Sequence, residues 1–307
     1  MHPAASVIFF TVASGAGYGL LFALGLAAAA GALAQHGALA ITALLLSGAL
    51  VSAGLLSSTL HLGHPERAWR AVSQWRTSWL SREGVAALLT YIPMAWLMLC
   101  FLTGASAILP GLLAATGAVA TVWCTGQIYA VLKPIREWHT PYTAPGYIAF
   151  AASTGFLLAH ALVLGFGAWH LAPSSASLAI TAPIGALALH RLRRAHLIGT
   201  PRTSTRETAT GLQGRGTVRA FEEPHTGTNY LLQEMGYRLG RKHRVRLSAI
   251  MLALAFAVPI ALATVSALVP GGAVLAGFAA VAVLIGTAIE RWLFFATATH
   301  TVMLYYR

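Results

Sequence analysis

Eight apolar runs, each long enough to cross a bilayer, alternate with short polar connections along the 307 residues. A transmembrane helix needs about 20 mostly apolar residues to cross a hydrocarbon core of about 30 Å. That requirement predicts spans at Ala5 to Ala34, Ala38 to Leu60, Glu83 to Ala107, Gly111 to Leu132, Thr143 to His170, Ser177 to Leu192, Leu247 to Val269 and Gly272 to Ala296. A membrane barrel would show alternating segments of about ten residues, whereas these runs are continuous. The expected fold is an all-α integral membrane protein. Its eight transmembrane helices are expected to form two four-helix bundles, residues 1–139 and 140–307, meeting at the polar junction Trp138 to Pro145. Small residues mark candidate seams: Ser14, Gly15, Gly17 and Gly19 in the first span, and Ser47, Gly48, Ala53 and Gly54 in the second. Lipid gives no hydrophobic drive for helix association, so close backbone approach must replace it.

Composition agrees with the pattern: 57% hydrophobic and 9% charged residues, with a mean hydropathy of +0.70, exclude a soluble domain, whose charged share is nearer a quarter. The opening MHPAASVIFF has neither a basic lead-in nor a small-residue cleavage site, so the first run reads as a retained span. Charge adds orientation. Of the 20 Lys and Arg residues, 18 lie in or beside the connections after the second, fourth and sixth spans. By the positive-inside rule these connections and both termini face the cytoplasm, which for a bacterial chain means the inner membrane. The net charge of +12 thus belongs to one face, suited to anionic lipid or an acidic partner. No nucleic-acid module accompanies it, and nucleic acid is not an expected partner. The long connection 195–246 divides into a Thr/Arg/Gly-rich linker, His196 to Arg219, and a segment of helical period, Phe221 to Arg246. Gly211, Gly214 and Gly216 belong to the linker, since no strand precedes them and no Lys-Ser/Thr follows.

The chemistry available is restricted. The chain has no Asp, and its eight Glu all map to the basic face or to span ends there. Proton-driven transporters usually carry ionisable groups near the midplane, so that class is disfavoured. A haem b between helices needs two imidazoles at similar depth. His160 and His190 lie at opposite depths, leaving His61 with His190 as the haem alternative. Cys100 and Cys124 are isolated within spans and read as small hydrophobes; no CxxC or CxxCH occurs.

What remains is Ser57 to Gly84, SSTLHLGHPERAWRAVSQWRTSWLSREG, which places two His, four Arg, three Trp and two Glu between two apolar runs. Topology brings His61, at the end of the second span, near Glu83, at the start of the third. A neutral imidazole can donate to a carbonyl oxygen and exchange a proton near neutral pH, a carboxylate can relay protons, and neighbouring Arg residues can pair with it. This is the equipment of a quinone site. Trp69, Trp75 and Trp79 suit either a ring-flanking role or simple anchoring at the interface.

HLGHPERAW followed by SWLSRE resembles the membrane-anchor subunits of dimethyl sulfoxide reductase-type molybdoenzymes. The opening MHPAASVIFFTVASGAGYG, IYAVLKPIREWHTP and HTGTNYLLQEMGYR are closer to the sulfite dehydrogenase branch of that family. The resemblance implies a membrane subunit that passes electrons between an iron-sulfur partner and ubiquinone or menaquinone, holds no haem, and serves a catalytic partner carrying molybdopterin guanine dinucleotide. It implies quinone-site roles for His61 and Glu83, extended to Arg67, Tyr129 and Trp79, and partner docking through Trp138, His139, His225, Asn229, Tyr230 and Glu234. Because the motif loops read as cytoplasmic, sulfite oxidation is favoured over an exported reductase. A reductase anchor oxidising menaquinol, a haem b quinol cytochrome and a purely structural anchor are the alternatives.

Overall fold

With no water to satisfy backbone N–H and C=O groups in a bilayer, an apolar run must close its own hydrogen bonds, and each of the eight runs is a helix. The computed structural model describes residues 4–59, 64–200, 204–219, 221–222 and 243–305. Among them eight helices are long and apolar enough to span a membrane. These are α1 (Ala5–Ala29), α2 (Gly37–Thr59), α3 (Trp79–Thr103), α4 (Ile108–Ala130), α5 (Thr143–Gly165), α6 (Ala172–Gly199), α7 (Arg244–Ser266) and α8 (Ala273–Ala296). No strand occurs in the described residues; one isolated bridge joins Ile135 and His300. Spans that alternate in direction gather the basic connections at one end, called the basic end below.

Local chemistry moves several expected boundaries. The third span begins at Trp79, not Glu83, because Ser78 caps the helix by accepting from the Ser81 N–H. It stops at Gly104, whose φ of 72° is left-handed. The sixth span extends to Gly199, so Arg191, Arg193 and Arg194 ride on helix, not in a loop. The expected linker also carries structure. Thr205 and Thr208 form a capping box on the helical turn Arg206–Thr210, and the Glu207 carboxylate accepts the Val218 N–H at 3.1 Å. Arg206 Nε donates to the Leu304 carbonyl at 3.2 Å. Of the helical segment expected over Phe221 to Arg246, most lies outside the described residues, together with His61, His225, Asn229, Tyr230 and Glu234.

Packing joins the two halves of the chain through backbone contact. α1 packs on α2, α4 and α5 alike. A Cβ on Gly19 would lie 1.8 Å from the Ala151 carbonyl oxygen of α5, and one on Gly155 would lie 2.0 Å from the Gly19 carbonyl carbon. Gly17 and Gly54 close the α1–α2 seam in the same way, where the Ser47 hydroxyl donates to the Gly17 carbonyl at 2.8 Å. α8 packs on α5, α7 and α1, and a π-helical stretch of α7, Ala253–Ala257, rests against Gly286. The seam between residues 1–139 and 140–307 is therefore as tight as those within either half.

Candidate functional site

The start of α3 places the carboxylate of Glu83. Trp79 opens the helix, and Glu83 follows four residues later on the same face. Glu83 is 4% exposed, against the α4 face that carries Thr121 and Thr125. The Thr125 hydroxyl donates to Glu83 Oε1. Further along the seam the Thr90 and Thr121 hydroxyls meet at 3.4 Å. A buried carboxylate costs free energy unless paired or hydrogen-bonded, so this Thr is the local reason Glu83 can sit inside. The loop before α3 caps the site from outside. A 3₁₀ helix, Pro65–Val72, leads into it and packs on the start of α3. Arg82 closes the loop by donating to the Trp75 and Arg76 carbonyls at 2.9 and 2.7 Å, with its guanidinium 4.3 Å from the Trp79 ring centre.

Tyr129 lies one turn beyond Thr125 on α4. Its ring stacks on Tyr147 of α5 at 5.7 Å and meets Trp138, Phe294 and Phe295 edge-on. Glu83, Trp79 and Tyr129 are thus gathered at the basic end by the α3–α4 pair. Arg67 is not drawn in: its side chain is 58% exposed and lies 3.7 Å from Glu66, which also pairs with His64 at 3.0 Å. Of the docking residues, His139 is exposed, donating from Nδ1 to the Ala130 carbonyl at 2.6 Å. Trp138 is a core residue, 4% exposed, whose indole N–H donates to the Phe294 carbonyl at 2.9 Å. Any part it has in docking comes from holding the α4–α5 loop in place.

A second polar centre escaped the sequence reading. Arg291 of α8, 3% exposed, sits 3.8 Å from the centre of the Tyr147 ring and pairs with Glu290 at 3.0 Å. Arg193 of α6 approaches Glu290 from the other side at 3.7 Å, and its Nη2 donates to the Glu137 carbonyl at 2.8 Å. The signal was present: Glu-Arg inside an apolar span is an intramembrane ionisable pair, a functional pointer in itself. His160, in contrast, has both ring nitrogens hydrogen-bonded to serine hydroxyls, Ser175 at 2.9 Å and Ser266 at 3.0 Å. It is a satisfied buried histidine. Among the described residues no cluster of His, Cys or Glu could hold a metal ion.

A family model described as DMSO reductase anchor subunit (DmsC) matches residues 1–297. A sulfite dehydrogenase subunit of Allochromatium vinosum is 35% identical to this chain, with 100% of the chain and 99% of that protein aligned. No solved structure matches. A family model matching almost the whole chain and a full-length relative at 35% identity place the chain in the DMSO reductase anchor subunit (DmsC) family, the membrane anchors of oxidoreductase complexes.

Proposed function

We propose that this chain is the quinone-reactive membrane subunit of a sulfite-oxidising molybdopterin complex in a bacterial inner membrane, with both termini cytoplasmic. An iron-sulfur partner docks on the basic end and delivers electrons from the molybdopterin guanine dinucleotide subunit to ubiquinone or menaquinone beside His61 and Glu83. Glu83 carries the reading: a carboxylate inside the protein, held by one hydroxyl and lying directly below the motif loop, is positioned to exchange protons with a quinone oxygen. Quinone reduction consumes two protons and two electrons, and both arrive here from the same side. His61 supplies the donor to the carbonyl oxygen, Trp79 and Tyr129 supply ring surface, and Arg67 with the other loop arginines faces the iron-sulfur partner. His139, His225, Asn229, Tyr230 and Glu234 belong to that docking surface. The full-length likeness to a sulfite dehydrogenase subunit supports sulfite as the electron source.

The intact complex tests this. His61→Ala and Glu83→Gln should abolish sulfite-driven quinone reduction while sulfite oxidation with a soluble artificial acceptor continues at the wild-type rate. Equal loss of both activities would make these residues structural and the chain an anchor only.

A further inference from the structure

At the basic end a cleft of about 400 Å³ opens between α6, α7 and α8. α6 packs on α7 along Ala253–Ser266 but diverges from its Arg244–Leu252 part, so the cleft is a wedge between two spans at the membrane edge. Four guanidinium groups from three separate segments converge on it: Arg136 from the α4–α5 loop, Arg193 and Arg194 from α6, and Arg244 from α7. The carboxylates there are Glu137 and Glu290. Both are engaged, Glu290 by Arg291 at 3.0 Å and Arg193 at 3.7 Å, and Glu137 by the Thr299 N–H at 3.1 Å, which leaves Arg136, Arg194 and Arg244 without a carboxylate partner among the described residues. Cations crowded in partial burial repel one another unless an anion joins them.

Two of these arginines are held before any ligand arrives. Arg136 Nη2 donates to the Leu197 and Thr200 carbonyls, and Arg193 Nη2 to the Glu137 carbonyl. The Nε of each is buried and makes no hydrogen bond among the described residues. The guanidinium groups of Arg194 and Arg244, which make no hydrogen bond or ion pair among the described residues, are left to fork onto a tetrahedral oxyanion in the cleft. The apolar part of the lining is Leu197, Ile198, Met251 and Leu293, of which Ile198 is 82% exposed. A ligand that satisfies both kinds of lining carries a phosphate head and a hydrocarbon body.

We infer that this cleft binds the phosphodiester headgroup of an anionic phospholipid, with its acyl chains running down the α6–α7 wedge. Basic pockets between transmembrane helices recognise such headgroups, and each basic residue near an anionic headgroup is worth about fivefold in affinity, so two together are worth about 30-fold.

The test uses the intact complex, wild type and Arg194→Gln/Arg244→Gln. Among the described residues neither side chain makes a hydrogen bond or ion pair to another helix, so the fold should tolerate their replacement. The complex is placed in nanodiscs of phosphatidylcholine with or without phosphatidylglycerol, and retained lipid is counted by native mass spectrometry after detergent extraction. Wild type should retain phosphatidylglycerol and resist thermal inactivation better when it is present. The Gln pair should bind it about 30-fold more weakly, and Arg194→Lys/Arg244→Lys should restore binding. Equal retention by wild type and the Gln pair would overturn the assignment. So would equal protection by inorganic phosphate in pure phosphatidylcholine, which would mark a free-anion site. Loss of the partner subunits with lipid retention unchanged would give the cleft to an acidic partner chain and also overturn it.

Discussion

Replacing Thr125 with Val removes the hydroxyl that donates to Glu83 and keeps the side-chain shape, so the packing of the α3–α4 seam is preserved. Thr125 is 6% and Glu83 4% exposed; bulk water cannot take the hydroxyl's place. A hydrogen bond to a charged group is worth about 1.5–3 kcal/mol. If it is spent on holding Glu83 in its working geometry, the loss corresponds to roughly 10- to 150-fold in rate. The assay is the ratio of sulfite-driven quinone reduction to sulfite oxidation with a soluble acceptor, measured on the same preparation so that expression and assembly cancel. Thr125→Val should lower that ratio by at least the smaller figure. Thr125→Ser, which keeps the donor, should stay near wild type. The one Thr125 hydrogen is shared between Glu83 and the Thr121 carbonyl at 3.1 Å; loss of the backbone bond would lower both activities together, so the ratio reads the carboxylate bond. Equal losses of the ratio in Val and Ser would refute the view that this hydroxyl serves the carboxylate.

Two further outcomes follow from the packing. Gly19→Ala should lower the midpoint of thermal inactivation sharply, since its Cβ would meet the Ala151 carbonyl oxygen at 1.8 Å and overpacking a tight core costs about 1–3 kcal/mol or more. Gly277→Ala in α8, where an added Cβ meets nothing within 4 Å, should leave it unchanged in the same measurement. Arg291→Met should destabilise the detergent-solubilised protein by about 3–5 kcal/mol, because Glu290 then keeps a buried charge with Arg193 at 3.7 Å as its nearest partner. Pairing it with Glu290→Gln should recover most of that loss, and a double variant no more stable than the single would contradict the ion-pair account.

The spans were legible because length and hydropathy depend on composition alone, and every predicted run contains a helix. Their ends were less so. Ser78 could not be recognised as a cap without knowing that Trp79 was helical, and Arg193 and Arg194 looked like loop residues because charge masked the continuation of α6. The motif singles out Glu83 as a candidate, but nothing local singles out the residue that holds it. Thr125 lies 42 positions away on a helix whose rotation no local pattern sets, and a threonine in an apolar span ordinarily bonds to its own backbone. For Trp138 the resemblance implies docking, while its burial against α8 comes from tertiary packing that no local pattern shows. Arg291 carried a local signal in the Glu-Arg pair, but the Tyr147 ring it covers lies on another helix that no local pattern places beside it.

At the basic end the two buried polar groups, Glu83 and the Glu290–Arg291 pair, are linked by a run of contacts. Thr125 holds Glu83, and one turn nearer the basic end Tyr129 stacks on Tyr147, over whose ring Arg291 lies. Five aromatic rings, Tyr129, Trp138, Tyr147, Phe294 and Phe295, pack on one another beside the Glu290–Arg291 pair, and Trp138 ties the α4–α5 loop to α8 through the Phe294 carbonyl. The helices that build this cluster come from both halves of the chain: α4 from the first, α5 and α8 from the second. The aromatic cluster and the close Gly19–Gly155 approach therefore both join the two halves of the chain, while the Thr125–Glu83 bond lies wholly within the first.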